Sequence, residues 1–482
     1  MKLKPSDPVA RGLLGYLELR QEQNVDEATS DLEAAVKLDP KNMTNQSNLA
    51  SAYLQQQKWA QAIPILRLVE ASKPGDGFTG ARLAGALAET GDLTDSLPIY
   101  AKIVKFPNCP EAVIKNYALT LARDKQYAAA AAEYDKVAAM DPTDAAAWDS
   151  AGICYATIGK QQDAVSRLAV SLKLGPEDPY RTRFLYATAL AETGQNDAAV
   201  KQFKYVTVLK PDEFAGWYNL GLVEERMGHV PDAIAAYQQA RQLAPDNTST
   251  LLNLAGLLVK SGEVADAVDE LSGAVQQQPT NAALHRGLAT AYLAQQNSTA
   301  AETELKTALT IDPADDLTRA ELAQLYSTNK DWPNALAEYQ ILSKVAPDSD
   351  ALQNQLGETL EQLKRYSDAL PYLQRAIEIN PKNAIAWNDL GAVHEQTGQL
   401  PEALADYKKA VALDPSMVEA QSNAGRLGAA MQSGTTAKPK PALATSTVTP
   451  PPAAPPGPAP ALTTQTAPLS PKSPPASGTI SP

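Results

Sequence analysis

Reactive side chains are few in this 482-residue chain, so their spacing decides whether they could do chemistry. A zinc or iron site needs His, Cys or carboxylate ligands converging at short, defined spacings, and a nucleophile needs a base within hydrogen-bond reach. The three histidines are His229, His285 and His394, which stand in different contexts and share no metal-ligand spacing. The two cysteines, Cys109 and Cys154, are too few for a disulfide framework or a four-cysteine zinc site. Neither has a neighbouring His that could draw off its proton. No GxxxxGK[ST] loop is present, and no GxGxxG follows a strand, as a phosphate-cradling turn requires. The paired acids Asp315–Asp316 and Glu224–Glu225 fit helix starts and solvated faces. The residues therefore predict no catalytic group, no metal site and no cofactor: the chain reads as a protein that is not an enzyme.

Charge narrows the partners. The net charge is −13, and the last fifty residues hold three Lys and no acid. The rest carries 39 basic against 55 acidic residues, a balance of −16. Such a surface disfavours nucleic acid, whose phosphates need a basic track, and anionic membranes; its plainest role is to keep the protein in solution. No run approaches the ~18 apolar residues that span a bilayer. Only five Phe are present, and alanine-rich cores with few aromatics suit closely packed helices better than sheets.

The elements that must position any site announce themselves by period. Prolines fall at Pro40, Pro74, Pro142, Pro176, Pro211, Pro245, Pro279, Pro313, Pro347, Pro381 and Pro415. The spacing is 34 apart from one gap of 35 and one of 68, and Asn108 marks the middle of the double gap. Twelve units end at these marks. The last, Ala384 to Met417, holds two apolar-periodic stretches of helical length joined by a TGQLPE turn and closed by DP. With the closing proline as position 32, position 8 is small in eleven units, Tyr16 being the exception. Position 20 is Ala in eleven, Ser96 being the exception, and position 27 stays small or aliphatic. These are expected to be close helix crossings.

In Trp387, Leu390, Gly391, Ala403, Tyr407 and Pro415 this resembles the tetratricopeptide repeat, with its W-x2-L-G-x2-Y, A-x3-F and P pattern. His394 stands where the family has Tyr. Twelve such units in phase, from Val9 to Met417, carry the resemblance. It implies an all-α fold: an α-solenoid, a right-handed superhelix of antiparallel helix pairs, with first helices lining a concave groove. Positions 4 and 17 account for the tryptophans: Trp148, Trp217 and Trp387, with His285 in place of Trp, stand at position 4, and Trp59 and Trp332 at position 17.

The expected organisation is 1–8 as the end of a preceding, truncated repeat, 9–417 as twelve repeats, 418–431 as a capping helix, and 432–482 as a disordered tail rich in Pro, Ala and Thr. Residues are expected to be missing upstream. MKLKPSDPVA has no apolar signal region, so the chain as written reads as cytoplasmic, and as periplasmic or exported if a signal peptide lies upstream.

The resemblance points positions 2, 5, 9 and 12 of each first helix into the groove. Position 5 runs Leu13, Ser47, Ala81, Lys115, Asp149, Phe184, Tyr218, Leu252, Arg286, Ala320, Asn354 and Asn388. Phe184, Tyr218, Leu222 and Leu252, flanked by Arg181 and Arg286, form a candidate peptide-binding strip; the competing reading is that they pack on one another. Glu358, Glu361, Asn388 and Glu395 form a second, acidic candidate for basic or polar partners. Some family members clamp carboxylates with Lys at position 5 and Asn at position 9, but Lys115 is followed by Leu119, which breaks that pair. The function these features predict is a scaffold or adaptor holding proteins or peptides, with no nucleic acid and no direct membrane insertion. The alternatives are a substrate-recruiting subunit of a separate enzyme, such as a glycosyltransferase, or a structural cell-envelope protein.

Overall fold

The computed structural model describes residues 7–21 and 24–433, which form helices joined by short turns. They fall into two compact units that divide between Gly228 and His229. The first unit contains α1 (Pro8–Gln21), α2 (Val25–Leu38), α3 (Met43–Gln55), α4 (Trp59–Ser72), α5 (Gly77–Glu89), α6 (Leu93–Ile103), α7 (Glu111–Arg123), α8 (Tyr127–Met140), α9 (Ala145–Thr157), α10 (Gln161–Leu174), α11 (Pro179–Glu192), α12 (Asn196–Leu209) and α13 (Phe214–Arg226). The second contains α14 (Val230–Leu243), α15 (Thr248–Ser261), α16 (Val264–Gln277), α17 (Ala282–Ala294), α18 (Ser298–Ile311), α19 (Asp316–Thr328), α20 (Trp332–Val345), α21 (Asp350–Gln362), α22 (Tyr366–Ile379), α23 (Ala384–Gln396), α24 (Leu400–Leu413) and α25 (Val418–Ser433). Within each unit, consecutive helices pack as antiparallel pairs and each pair stacks on the next, so each unit is an α-solenoid.

Local chemistry fixes both ends of the first helices. The residue two after a closing proline caps the next helix in most repeats: the Asn42 side chain accepts from the Thr44 and Asn45 amides, and Asp144 from those of Ala146 and Ala147. At the other end, position 15 is left-handed in all eleven repeats where it is described. Six of these are Gly, from Gly91 to Gly398, and five are Gln57, Lys125, Gln296, Lys330 and Lys364, with φ between 57° and 63°. The chain reversal reuses one hydrogen-bond pattern, as where the Gly91 amide donates to Ala88 O and the Asp92 amide to Leu87 O.

Three repeating contacts then lock the pairs. Position 20 has no exposed surface in any of the twelve repeats. Where Ser96 replaces Ala, its hydroxyl donates to the carbonyl of Ala84, at position 8, over 2.7 Å. Position 24 of the second helix lies on position 8 of the first: a Cβ on Gly152 would stand 2.6 Å from Leu168, one on Gly357 2.4 Å from Leu373, and one on Gly391 2.8 Å from Tyr407. In the first repeat the crossing moves back one residue. Gly15 lies on Leu32 and the Ala28 carbonyl, while Tyr16 turns outward.

The third contact is a clasp from position 4 to the carbonyl of the preceding closing proline. The indoles of Trp148, Trp217 and Trp387 donate to Pro142, Pro211 and Pro381 at 3.2, 2.9 and 3.0 Å. Gln46 and Gln353 make the same bond to Pro40 and Pro347, Arg319 makes it to Pro313, and His285 Nε2 lies 3.1 Å from Pro279 O. The Trp-to-His exchange therefore preserves an N–H donor rather than an aromatic surface.

At the ends the boundaries differ from the expected ones. Asp7 accepts from the Val9 amide and Pro8 opens α1, so both belong to the first described helix. α25 extends through Ser433, two residues past the expected capping segment. Residues 1–6 of the truncated repeat expected at 1–8, and the expected tail from 434 onward, lie outside the described residues.

Candidate functional site

The potentially reactive groups are held in packing contacts. Cys154 is fully buried, and burial pushes its thiol up to about 12; burial likewise raises Cys109, with help from Glu133. His285 Nδ1 meets Glu304 at 2.6 Å, and His394 Nδ1 meets Asp406 at 2.6 Å. Asp315 caps α19 through the Leu317 and Thr318 amides, as a helix-start acid should. Glu224 departs from the solvated face expected of it: it is buried and ion-paired to Lys204 at 3.0 Å.

The apolar strip is packed inward. Phe184 is 1% exposed, with the Phe203 ring edge-on at 6.0 Å and Tyr180 stacked at 6.3 Å. Tyr218, stacked on Phe214 at 5.3 Å, and Leu222 are also buried in the first unit. In the second unit, half-buried Leu252 lies over Gly287, where a Cβ would stand 2.4 Å from Leu252 Cδ2. Arg286 pairs with Asp315 at 3.3 Å, and Arg181 is half-buried with its Nε unpartnered. The strip is therefore not an open apolar surface. Aromatic side chains at these positions gain more from covering their own neighbours than from waiting for a ligand.

The acidic candidate separates into two parts. Glu395, on α23, is buried and satisfied: both terminal nitrogens of Arg426, on α25, reach it at 2.6 Å, and the Tyr407 hydroxyl donates at 3.0 Å. Asn388 is also engaged, giving its amide to Asp389 and accepting from Asn423, each at 3.3 Å. These two residues are committed to seating α25. Glu358 and Glu361, on α21, differ. Glu361 is 8% exposed, and its carboxylate makes no hydrogen bond or ion pair with the described residues. Burial first, then the charges of Asp389 and a neighbouring glutamate, push both carboxyls up to about 8. Asp389, buried on α23 beside α21, is raised to about 6, chiefly by burial, against hydrogen bonds from Asn354 and Asn388 that lower it.

Spacing singles out neither Arg82 nor Asp389, and it gives Asp149 only as one of the position-5 series. Arg82, in the first unit, reaches the Ser47 carbonyl at 3.2 Å and lies 5.1 Å over the Phe78 ring; burial lowers it to about 10. Asp149 accepts from the Thr182 hydroxyl at 2.7 Å, and burial raises its carboxyl. Asp389 had one available signal: position 6 is Asn in Asn48, Asn116, Asn219 and Asn253, and an acid there breaks the pattern.

Comparison with known proteins covers much of the same span. Residues 208–320 match the model of the cytochrome c-type biogenesis protein H TPR domain. Residues 19–78, 118–179 and 348–416 match models of the tetratricopeptide repeat. No curated protein matches by sequence. Among solved structures, the chain is similar to the APC/C hetero-tetramer Cut9–Hcn1 at 13% identity and a TM-score of 0.35, covering 87% of this chain and 96% of that one. It is similar to YrrB, a TPR protein with an unusual peptide-binding site, at 19% identity and 0.36, covering 39% and 98%. A tetratricopeptide repeat protein from Parabacteroides merdae matches at 17% identity and 0.37, covering 51% and 97%.

Proposed function

This chain belongs to the tetratricopeptide-repeat family, and from that premise we propose that it is a scaffold that holds protein or peptide partners along its first helices. One observation carries the reading. The contacts that build each pair, at positions 4, 8, 15, 20 and 24, repeat along the chain, while position 5 changes its chemistry from unit to unit. There it is Lys115, Asp149, Arg286 or Asn354, charged of either sign or uncharged. A constant frame that presents variable polar side chains is what recognition of an extended partner needs. The burial of Phe184, Tyr218 and Leu222 moves the weight of that recognition from the apolar strip to these polar positions.

The test is affinity capture from the native cell with the whole chain as bait, beside a Lys115→Ala/Asn354→Ala variant that melts at the same temperature. A partner held by the first and weakened by the second supports the scaffold. Equal capture by both, or by neither, overturns recognition through position 5.

A further inference from the structure

Position 12 of the first helix carries a buried glutamate in two successive repeats, and the two meet opposite fates. Glu395 is met by the Arg426 guanidinium from position 9 of the following helix and by the Tyr407 hydroxyl from position 24 of its own repeat. Glu361 occupies the same place one repeat earlier. Position 24 there is Leu373 and the following position 9 is Ala392, so both donors are missing. An unpartnered carboxylate in so dry a place is costly, and the chain shows one repeat further on what satisfies it.

A second, uncharged group points the same way. Asn354 is buried on α21 and gives its Nδ2 to Asp389 at 3.1 Å, yet its Oδ1 is a buried acceptor with no donor. Once ionised, Glu361 and half-buried Glu358, with Asn354 Oδ1, offer acceptors only. No three carboxylates of this group converge within 4.8 Å, as a metal ion would require. A planar fork of several N–H donors suits spread-out acceptors better than a compact ammonium does.

We propose that α21 and α23 form a seat for an arginine side chain of the bound partner, its guanidinium taking at Glu361 and Asn354 the role that Arg426 takes at Glu395. The proposal rests on the scaffold reading and names the partner's chemistry: a peptide with an exposed arginine. The charged groups facing the seat are Glu358, Asp389 and, from α25, Glu419; Arg426 is held by Glu395. Tyr339, Tyr366 and Tyr407 are raised chiefly by burial, with smaller contributions from neighbouring glutamates, so they stay neutral and add no charge to the seat. Carboxyls that are largely protonated near neutrality ionise when the cation arrives, so binding releases protons and tightens as pH rises through about 8.

The test uses the full chain and two small probes, L-argininamide and its uncharged isostere L-citrullinamide, titrated calorimetrically at about pH 7 and about pH 9. Argininamide is expected to bind at least about tenfold more tightly than citrullinamide, to release protons at the lower pH, and to lose about tenfold in Glu361→Gln. Ala392→Arg is expected to supply the guanidinium from within, raising the unfolding midpoint of the second unit and blocking argininamide. Equal binding of the two probes, or argininamide binding unchanged in Glu361→Gln, overturns the seat whether or not Ala392→Arg folds. Partner capture separates the two readings. A partner held equally by wild type and Glu361→Gln removes the seat and leaves the scaffold; argininamide binding as expected with no partner captured removes the scaffold and leaves the seat.

Discussion

Arg426 grips Glu395 at two points, each terminal nitrogen 2.6 Å from a carboxylate oxygen, and so ties the last described helix to the first helix of the repeat before it. The Glu395 side chain is nearly inaccessible, whereas Arg426 is partly exposed. Arg426→Ala leaves a buried carboxylate without its cation. It is expected to destabilise the docking of α25 by about 2–4 kcal/mol. Hydrogen exchange of the α25 amides, which reads local opening in a repeat array, checks this; unchanged protection would refute it.

Ala267 stands at position 20 with no exposed surface. Ala267→Trp forces α15 and α16 apart and is expected to cost about 1–3 kcal/mol or more, confined mainly to its own and adjoining repeats. Calorimetry of the full chain should show a lowered transition, and an unshifted one would place the close crossing elsewhere.

Lys364 ends its helix at φ 60°, a conformation that Gly adopts without penalty and that six other repeats fill with Gly. Lys364→Gly is therefore expected to stabilise by about 1 kcal/mol, the reverse of the usual effect of glycine next to a helix. Urea unfolding followed by circular dichroism reads the sign.

Acid should stabilise the second unit. The Glu361 carboxyl is raised from an ordinary value of 4.5 to about 8 in the folded chain, so the folded form holds the proton more tightly. The stabilisation is fully present below about 4.5 and is lost as pH rises through about 8. Glu361→Gln removes this site's share, flattening the slope by on the order of a few kcal/mol across the window while Glu358 still titrates. Melting temperatures of both proteins from about pH 5 to about pH 9 decide it; parallel curves would contradict it.

Phe184 fills its place between Tyr180 and Phe203 almost without exposure. Phe184→Ala is expected to cost about 3–5 kcal/mol in the first unit, as large core truncations do. A loss under about 1 kcal/mol would return this residue to the surface.

The frame was legible because it repeats. Small residues at positions 8 and 20 show as columns once the prolines fix the phase, and both columns are where helices touch. The left-handed position 15 was readable only where Gly fills it; Gln57 and Lys364 take the same backbone angle with nothing in their side chains to signal it. The strip failed for a different reason. Helical spacing shows that Phe184 and Tyr218 share a face, but whether that face is open depends on what packs over it, here Phe203 from α12 and Phe214 one turn earlier on α13. The acidic residues were found by spacing, yet their unequal states depend on one partner 31 residues away, Arg426, whose effect on Glu395 needs coordinates.

The position-4 clasp has a further consequence for how such a chain can drift. Tryptophan, arginine, glutamine and histidine all close the same bond to a proline carbonyl here, through Trp387, Arg319, Gln353 and His285. In the genetic code these four residues lie in series, each one base change from the next. A repeat can therefore walk from one to another with the clasp shut at every step. Ancestry can be erased from the letters while the fold beneath them never passes through a weakened intermediate.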